Sequence, residues 1–276
     1  MNDPILYEWP NGMRSIAGGT RNEIKLSRPW QKEIEVNPET CPFCTGKGHV
    51  LEDIGGGEWR LLQNRFTPYP FHQMIIPRSC FPAQKVRILG GQDMCLNAFF
   101  YIQKAIRERG LGKLFMTIHI GELAGQNVPH LHYHIVRYML ADQSESSVPQ
   151  KMRRIFREKP ELVIFEDDVL SAGVGGVRSG QCFILKKSRG LESDKYALAF
   201  FVYRVISLYN KKFKSTQGLS PDFSLALQFL DGEFQYGIYT PVLNHWGGTE
   251  QMALYESGCS TTLPWPHELT VKHLKS

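Results

Sequence analysis

Ala124-Gly-Gln-Asn-Val-Pro-His130-Leu-His132-Tyr-His134-Ile-Val136 carries three histidines at alternate positions as it runs into apolar sequence. A strand from about Leu131 to Met139 would project them to one face, with neighbouring side chains about 6.5–7 Å apart. One imidazole can then attack a substrate atom while another binds a metal or donates a hydrogen bond. The same string could instead be a histidine-rich metal patch. The small Ala124-Gly125 pair just before it favours a tight turn with exposed backbone N–H groups, which suits an anion. A phosphate-binding turn beside aligned imidazoles points to nucleophilic catalysis at phosphorus, with histidine as the covalent carrier.

Upstream, Leu114 to Ile120 reads as the preceding strand, joined to the histidine string by the turn 121–125. Asp93 can cap a helix to about Arg109, with Leu96, Phe99, Phe100, Ile102, Ala105 and Ile106 as its apolar stripe and Gly110 as its stop. Trp59–Gln63 and Gln73–Pro77 read as strands, and the first forty residues as an irregular arm with one or two strands. Downstream, the polar stretch Ala141–Ser147 opens a linker placed at 141–174. Beyond it the pattern recurs: Gln181-Cys-Phe-Ile-Leu echoes Gln73-Met-Ile-Ile-Pro, and Ala199-Phe-Phe echoes Ala98-Phe-Phe within a helix over 194–213. Strands at 223–229 and 234–241 complete the second set. The expected fold is α+β: two tandem units, 1–140 and 175–276, each an antiparallel sheet with one main helix, pairing into one pseudo-dimeric whole.

Composition excludes several classes. The 276 residues are 42% apolar and 21% charged, with 25 Gly and 16 Pro, which is neither disordered nor collagen-like. The longest apolar run, Tyr196–Tyr203, ends at Arg204, well short of the ~20 residues that span a bilayer. Without a basic, then apolar, start, a cytoplasmic location is expected. The net charge of +5 favours anionic ligands, but the absence of a long basic run argues against nucleic acid. Six cysteines are too few for a disulfide scaffold, so thiols or metal ligands are expected.

Gly121-x-x-Ala-Gly-Gln-x-Val-x-His-x-His-x-His resembles the signature of the histidine-triad superfamily. The apparent duplication, Cys41-Pro-Phe-Cys44, Gln63-Asn-Arg-Phe-Thr-Pro68, Gly247-Gly-Thr-Glu250, Ser257-Gly-Cys259 and Pro264-Trp-Pro266 resemble its galactose-1-phosphate uridylyltransferase branch, which includes nucleotide phosphorylases. The resemblance implies that His132 is the nucleophile at the α-phosphorus of a nucleotide, forming a nucleotidyl–His132 intermediate that a second acceptor discharges. Gln126, with backbone N–H groups near Gly125, would steady the phosphoryl oxygens. His134 stands where uridylyltransferases usually carry glutamine and histidine-triad hydrolases carry histidine, which can also move a proton. Asn64, His119, Gly125 and Asn127 form the expected substrate-binding set. Asn64 matches a position that commonly touches the nucleoside, although a strand-end turn asparagine reads the same way.

Cys41-x-x-Cys44 has the spacing of a zinc knuckle. The resemblance completes the set with Cys80 and His130, giving a structural Cys3His zinc site, with His49 as a competing ligand. Cys95 and Cys182 fall at apolar positions and read as core, and Cys259 as a loop thiol. In the second half Tyr236 stands in the place of His132, so that unit lacks the chemistry. His245-Trp246 reads as a structural turn or a pocket wall.

The leading expectation is a nucleotidyltransferase or phosphorylase that takes a nucleotide or sugar nucleotide and passes the nucleoside monophosphate to phosphate or a sugar phosphate. No membrane partner is expected, nucleic acid is disfavoured, and a homodimer is compatible with the reading. A hydrolase of dinucleoside polyphosphates or nucleotide conjugates is the runner-up. A catalytically silent nucleotide-binding protein is the third reading.

Overall fold

The computed structural model describes residues 5–8, 14–17, 37–45, 49–64, 67, 69–83, 100–102, 104, 108–137, 147–176, 178, 180–187, 195–213, 220–243 and 267–276. β1 (Ile5–Glu8) and β2 (Arg14–Ala17) pair as a two-stranded sheet of their own, and the other ten strands form a single sheet. The sheet's first half is β3 (His49–Ile54), β4 (Trp59–Gln63), β5 (Phe71–Pro77), β6 (Lys113–Ile120) and β7 (Tyr133–Arg137). Its second half is β8 (Val163–Glu166), β9 (Leu170–Val174), β10 (Cys182–Lys186), β11 (Phe223–Leu230) and β12 (Glu233–Pro241).

The spatial order is β3-β4-β5-β7-β6-β11-β12-β10-β9-β8, and every neighbouring pair is antiparallel. Each half thus runs first–second–third–fifth–fourth, and the two fourth strands, β6 and β11, form the seam. Residues 100–102, 104, 108 and 109 are helical between the third and fourth strands of the first half. α2 (Lys195–Lys212) fills that place in the second. α1 (Ser147–Glu158) and α3 (His267–Lys275) complete the described helices.

Alternation explains the packing. In β6, Leu114, Met116, Ile118 and Ile120 are buried while their neighbours are half-exposed, the signature of a strand with one face on a core. Register carries that face across the sheet, from Gln73 through Ile135, Met116, Ile118 and Leu225 to Tyr239. Helices cover it at both ends: Tyr101 donates to Gln73, and Tyr209 of α2 packs on Tyr239 with ring centroids 4.8 Å apart. His72, His134, Thr117, Ala226, Ile238 and Phe183 share the opposite face.

Several expectations need correcting. The stretch 141–174, read as a linker, contains α1 and the strands β8 and β9, which extend the sheet. Among the described residues the second half therefore carries two helices besides α2. β7 starts at Tyr133 rather than Leu131, and β3 had no counterpart in the reading. Residues 93–99, Cys95, His245-Trp246 and Cys259 lie outside the described residues. Cys182 is fully buried, as its apolar setting implied. Among the described residues no helix is long and apolar enough to cross a membrane.

Candidate active site

The site forms at the start of β7, where the chain leaves the turn after β6. Gly121 and Gly125 bracket a short 3-10 turn, Glu122–Ala124, and hold positive φ angles of 95° and 89° that suit only glycine well. Within this turn Gly125 N–H donates to Glu122 O at 2.9 Å and Gln126 N–H to Gly121 O at 3.1 Å. The Gln126 side chain closes it from both ends: Oε1 accepts from Gly121 N–H at 2.6 Å, and Nε2 donates to Val128 O at 2.8 Å. Gln126 thus braces the turn, and the Gly125 amide is occupied within it. Asn127 is exposed on this turn.

His132 is 6% exposed, and its Nδ1 lies 2.8 Å from the carbonyl of His130. Only an Nδ1–H can donate there, so Nε2 carries the lone pair. Burial pushes its pKa down to about 4, which keeps the ring neutral near neutral pH. The His134 ring lies 4.9 Å from that of His132, centroid to centroid, and His119 lies 6.0 Å from His134.

His72, which sequence reasoning passed over, completes the cluster. It is buried on β5, its Nε2 2.8 Å from His134 Nδ1 and its Nδ1 2.7 Å from Thr67 Oγ1. The Asn64 amide nitrogen reaches the same His72 ring, 3.2 Å from Nε2. Asn64 therefore belongs to the cluster, through His72. The period-2 pattern of β5 placed His72 on a face, but pairing with His134 requires β5 and β7 to be neighbours in register, Met74 opposite His134.

The metal set assembles beside it. Cys41 Sγ and Cys44 Sγ lie 3.5 and 3.3 Å from His130 Nδ1, and the three ligand atoms fall within 4.8 Å of one another. His130 Nε2 sits 3.1 Å from Pro77 O, so it donates there and leaves Nδ1 as a lone pair aimed at the thiols. Burial, then the thiols of Cys80 and Cys41, raise the Cys44 pKa to about 12. Two thiols and an imidazole lone pair drawn this close together suit a soft divalent ion such as zinc. Cys80 adjoins this group rather than lying within the tight trio. The side chain of His49 lies outside the described residues. Phe43, between the two cysteines, packs edge-on against both His130 and His132, at 5.6 and 5.4 Å. The metal loop thereby bears on the candidate nucleophile.

On the corresponding face of the second half stand Phe183, Leu185, Tyr236 and Ile238, with no histidine. α1 covers this region: a Cβ on Gly173 would overlap the Phe156 ring, and one on Gly175 would crowd Met152.

No protein-family model matches the chain, and no curated protein matches it in sequence. Solved structures do. An ADP-glucose phosphorylase from Arabidopsis thaliana with bound ADP-glucose is 15% identical with a TM-score of 0.62, the match spanning 100% of this chain and 99% of that one. A GalT-like protein from the same plant is 14% identical, with a TM-score of 0.62 and coverage of 100% and 99%. A uridylyltransferase is 16% identical, with a TM-score of 0.64 and coverage of 98% and 97%. The chain shares the fold of these proteins, and the resemblance read from its motifs holds at that level.

Proposed function

We propose that the chain is a histidine-triad nucleotidyltransferase or phosphorylase that works through a covalent nucleotidyl–His132 intermediate. The observation that carries this reading is the hydrogen bond from His132 Nδ1 to the His130 carbonyl, which leaves Nε2 of a buried ring as the nucleophile. Nε2 attacks the α-phosphorus, the bond to the leaving oxygen breaks with its electron pair, and His134 supplies the proton that neutralises that oxygen. An acceptor oxygen then attacks the same phosphorus and gives its proton to His134. The P–N bond breaks, and His132 recovers its lone pair. His72 holds the His134 ring for this exchange. The identical strand order of the two halves supports reading them as tandem repeats, the second without the chemistry.

Cys41, Cys44 and His130, with Cys80 as the fourth ligand, would hold a zinc ion whose role is structural. It would tie the 41–44 loop to the start of β7.

A sugar nucleotide is the donor class that the shared fold of the phosphorylase and uridylyltransferase supports. Hydrolysis is a second reading, favoured by a histidine at 134 with a hydrogen-bonded partner in His72. Intact-mass spectrometry after brief incubation with UDP-sugars, ADP-sugars, nucleoside triphosphates or diadenosine tetraphosphate tests both. An acid-labile adduct of one nucleoside monophosphate, absent from His132→Asn, is the expected result. Discharge by phosphate or a sugar phosphate identifies a transferase, and discharge by water alone a hydrolase. Nucleotide binding unaffected by His132→Asn, with neither adduct nor products, would sink the reading in favour of a binding protein.

A further inference from the structure

The seam between the halves brings two side chains of the second half onto the site of the first. Leu123 N–H, inside the 121–125 turn, donates to Asp222 Oδ2 at 2.9 Å across 99 residues of sequence. The carboxylate is packed so closely that a Cβ on Gly121 would overlap it. Two residues on, Ser224 stands opposite His119 in the β6–β11 ladder. Its Oγ lies 3.3 Å from the Ala124 carbonyl and 3.0 Å from His119 Nδ1. A hydroxyl has one proton to give, and a carbonyl can only accept, so Ser224 donates to Ala124 and accepts from His119 Nδ1–H. That assigns the His119 tautomer and orients a ring that stands against His134. Asp222 is itself anchored, its carbonyl accepting from Val242 N–H at the end of β12 at 2.7 Å.

We infer that Asp222 and Ser224 are positioning residues. Asp222 holds the 121–125 turn through the Leu123 amide, and Ser224 holds that turn and the His119 tautomer together. The second half is then a working part of the first half's site, although none of the histidines of that site lies on it. The inference rests on the proposed role of His132 only for its effect on rate, since the hydrogen bonds themselves can be tested without turnover.

Two measurements test it. Long-range proton–nitrogen NMR of the histidine rings, with His119 assigned through His119→Gln, should show Nδ1–H in the wild type and a move toward Nε2–H in Ser224→Ala. Single-turnover formation of the His132 adduct, at saturating ADP-glucose or UDP-glucose, should slow about 10-fold or more in Asp222→Ala and in Ser224→Ala, as expected for a displaced site. Asp222→Asn, which keeps an acceptor oxygen for Leu123 N–H, should restore most of the rate. Ser224→Ala should cost much less once His119 is already alanine, which a general loss of stability would not produce. An unchanged His119 tautomer in Ser224→Ala, or adduct rates unaltered in both alanine variants, overturns the inference. If the wild type forms no adduct while the tautomer shifts as described, the reaction assigned to His132 fails for these donors and the positioning contacts stand.

Discussion

At the residue scale, a hydrogen bond to a backbone carbonyl decides which nitrogen of each ring keeps its lone pair. His130 gives Nε2–H to Pro77 and keeps Nδ1 for the thiols, whereas His132 gives Nδ1–H to the His130 carbonyl and keeps Nε2. Two rings from the same short string thus present opposite nitrogens, one suited to a metal and one to phosphorus. The metal reading makes a direct prediction. Purified protein should carry about one zinc per chain, and Cys44→Ser should lose most of it, since binding to such a set is coupled to folding. Plasma-source mass spectrometry would measure the metal, and calorimetry should show a lower midpoint in Cys44→Ser or after chelation. Stoichiometric zinc retained in Cys44→Ser would remove this cysteine from the ligand set. Through Phe43, loss of the metal should also slow adduct formation at His132.

At the scale of elements, α1 packs on the face of the second half that corresponds to the histidine-bearing face of the first. Phe156 and Met152 seat against β9 and the residue after it, and both are buried. The helix can come that close because 173 and 175 are glycines. A leucine at 173 should therefore push Phe156 out of place, at a cost of about 1–3 kcal/mol. Chemical denaturation would read this as a lower midpoint with little change in slope. Phe156→Ala combined with Gly173→Leu should recover part of the loss, because the alanine frees the volume that the leucine needs. No loss in Gly173→Leu would mean that α1 does not rest on β9 as described.

For the whole molecule, the seam matters most. β6 and β11 are paired along all eight residues, from Lys113 opposite Leu230 to Ile120 opposite Phe223. Cutting the chain after residue 140 would expose β6 as a long apolar edge, the kind that associates with any available strand. Residues 1–140 expressed alone should therefore appear in light scattering as a dimer or larger aggregate. A soluble monomer that still forms the adduct would show that β11 is dispensable to both fold and site.

Local pattern alone was enough for strands such as β4, β6, β11 and β12, to within a residue or two, and for singling out the histidine segment 130–134. Alternation and glycine punctuation are local signals, and the histidine string is a local motif. Local pattern took 147–174 for part of a linker, because short strands interrupted by glycine and a basic amphipathic helix look like surface until a partner face is known. It also passed over His72, Asp222 and Ser224. Each meets a partner far away in the chain, on a neighbouring strand or in the 121–125 turn, and strand register is set by packing of the whole sheet rather than by neighbours in the chain. Tertiary structure alone decided that the turn 121–125 is held from the far half, and which nitrogen each histidine offers.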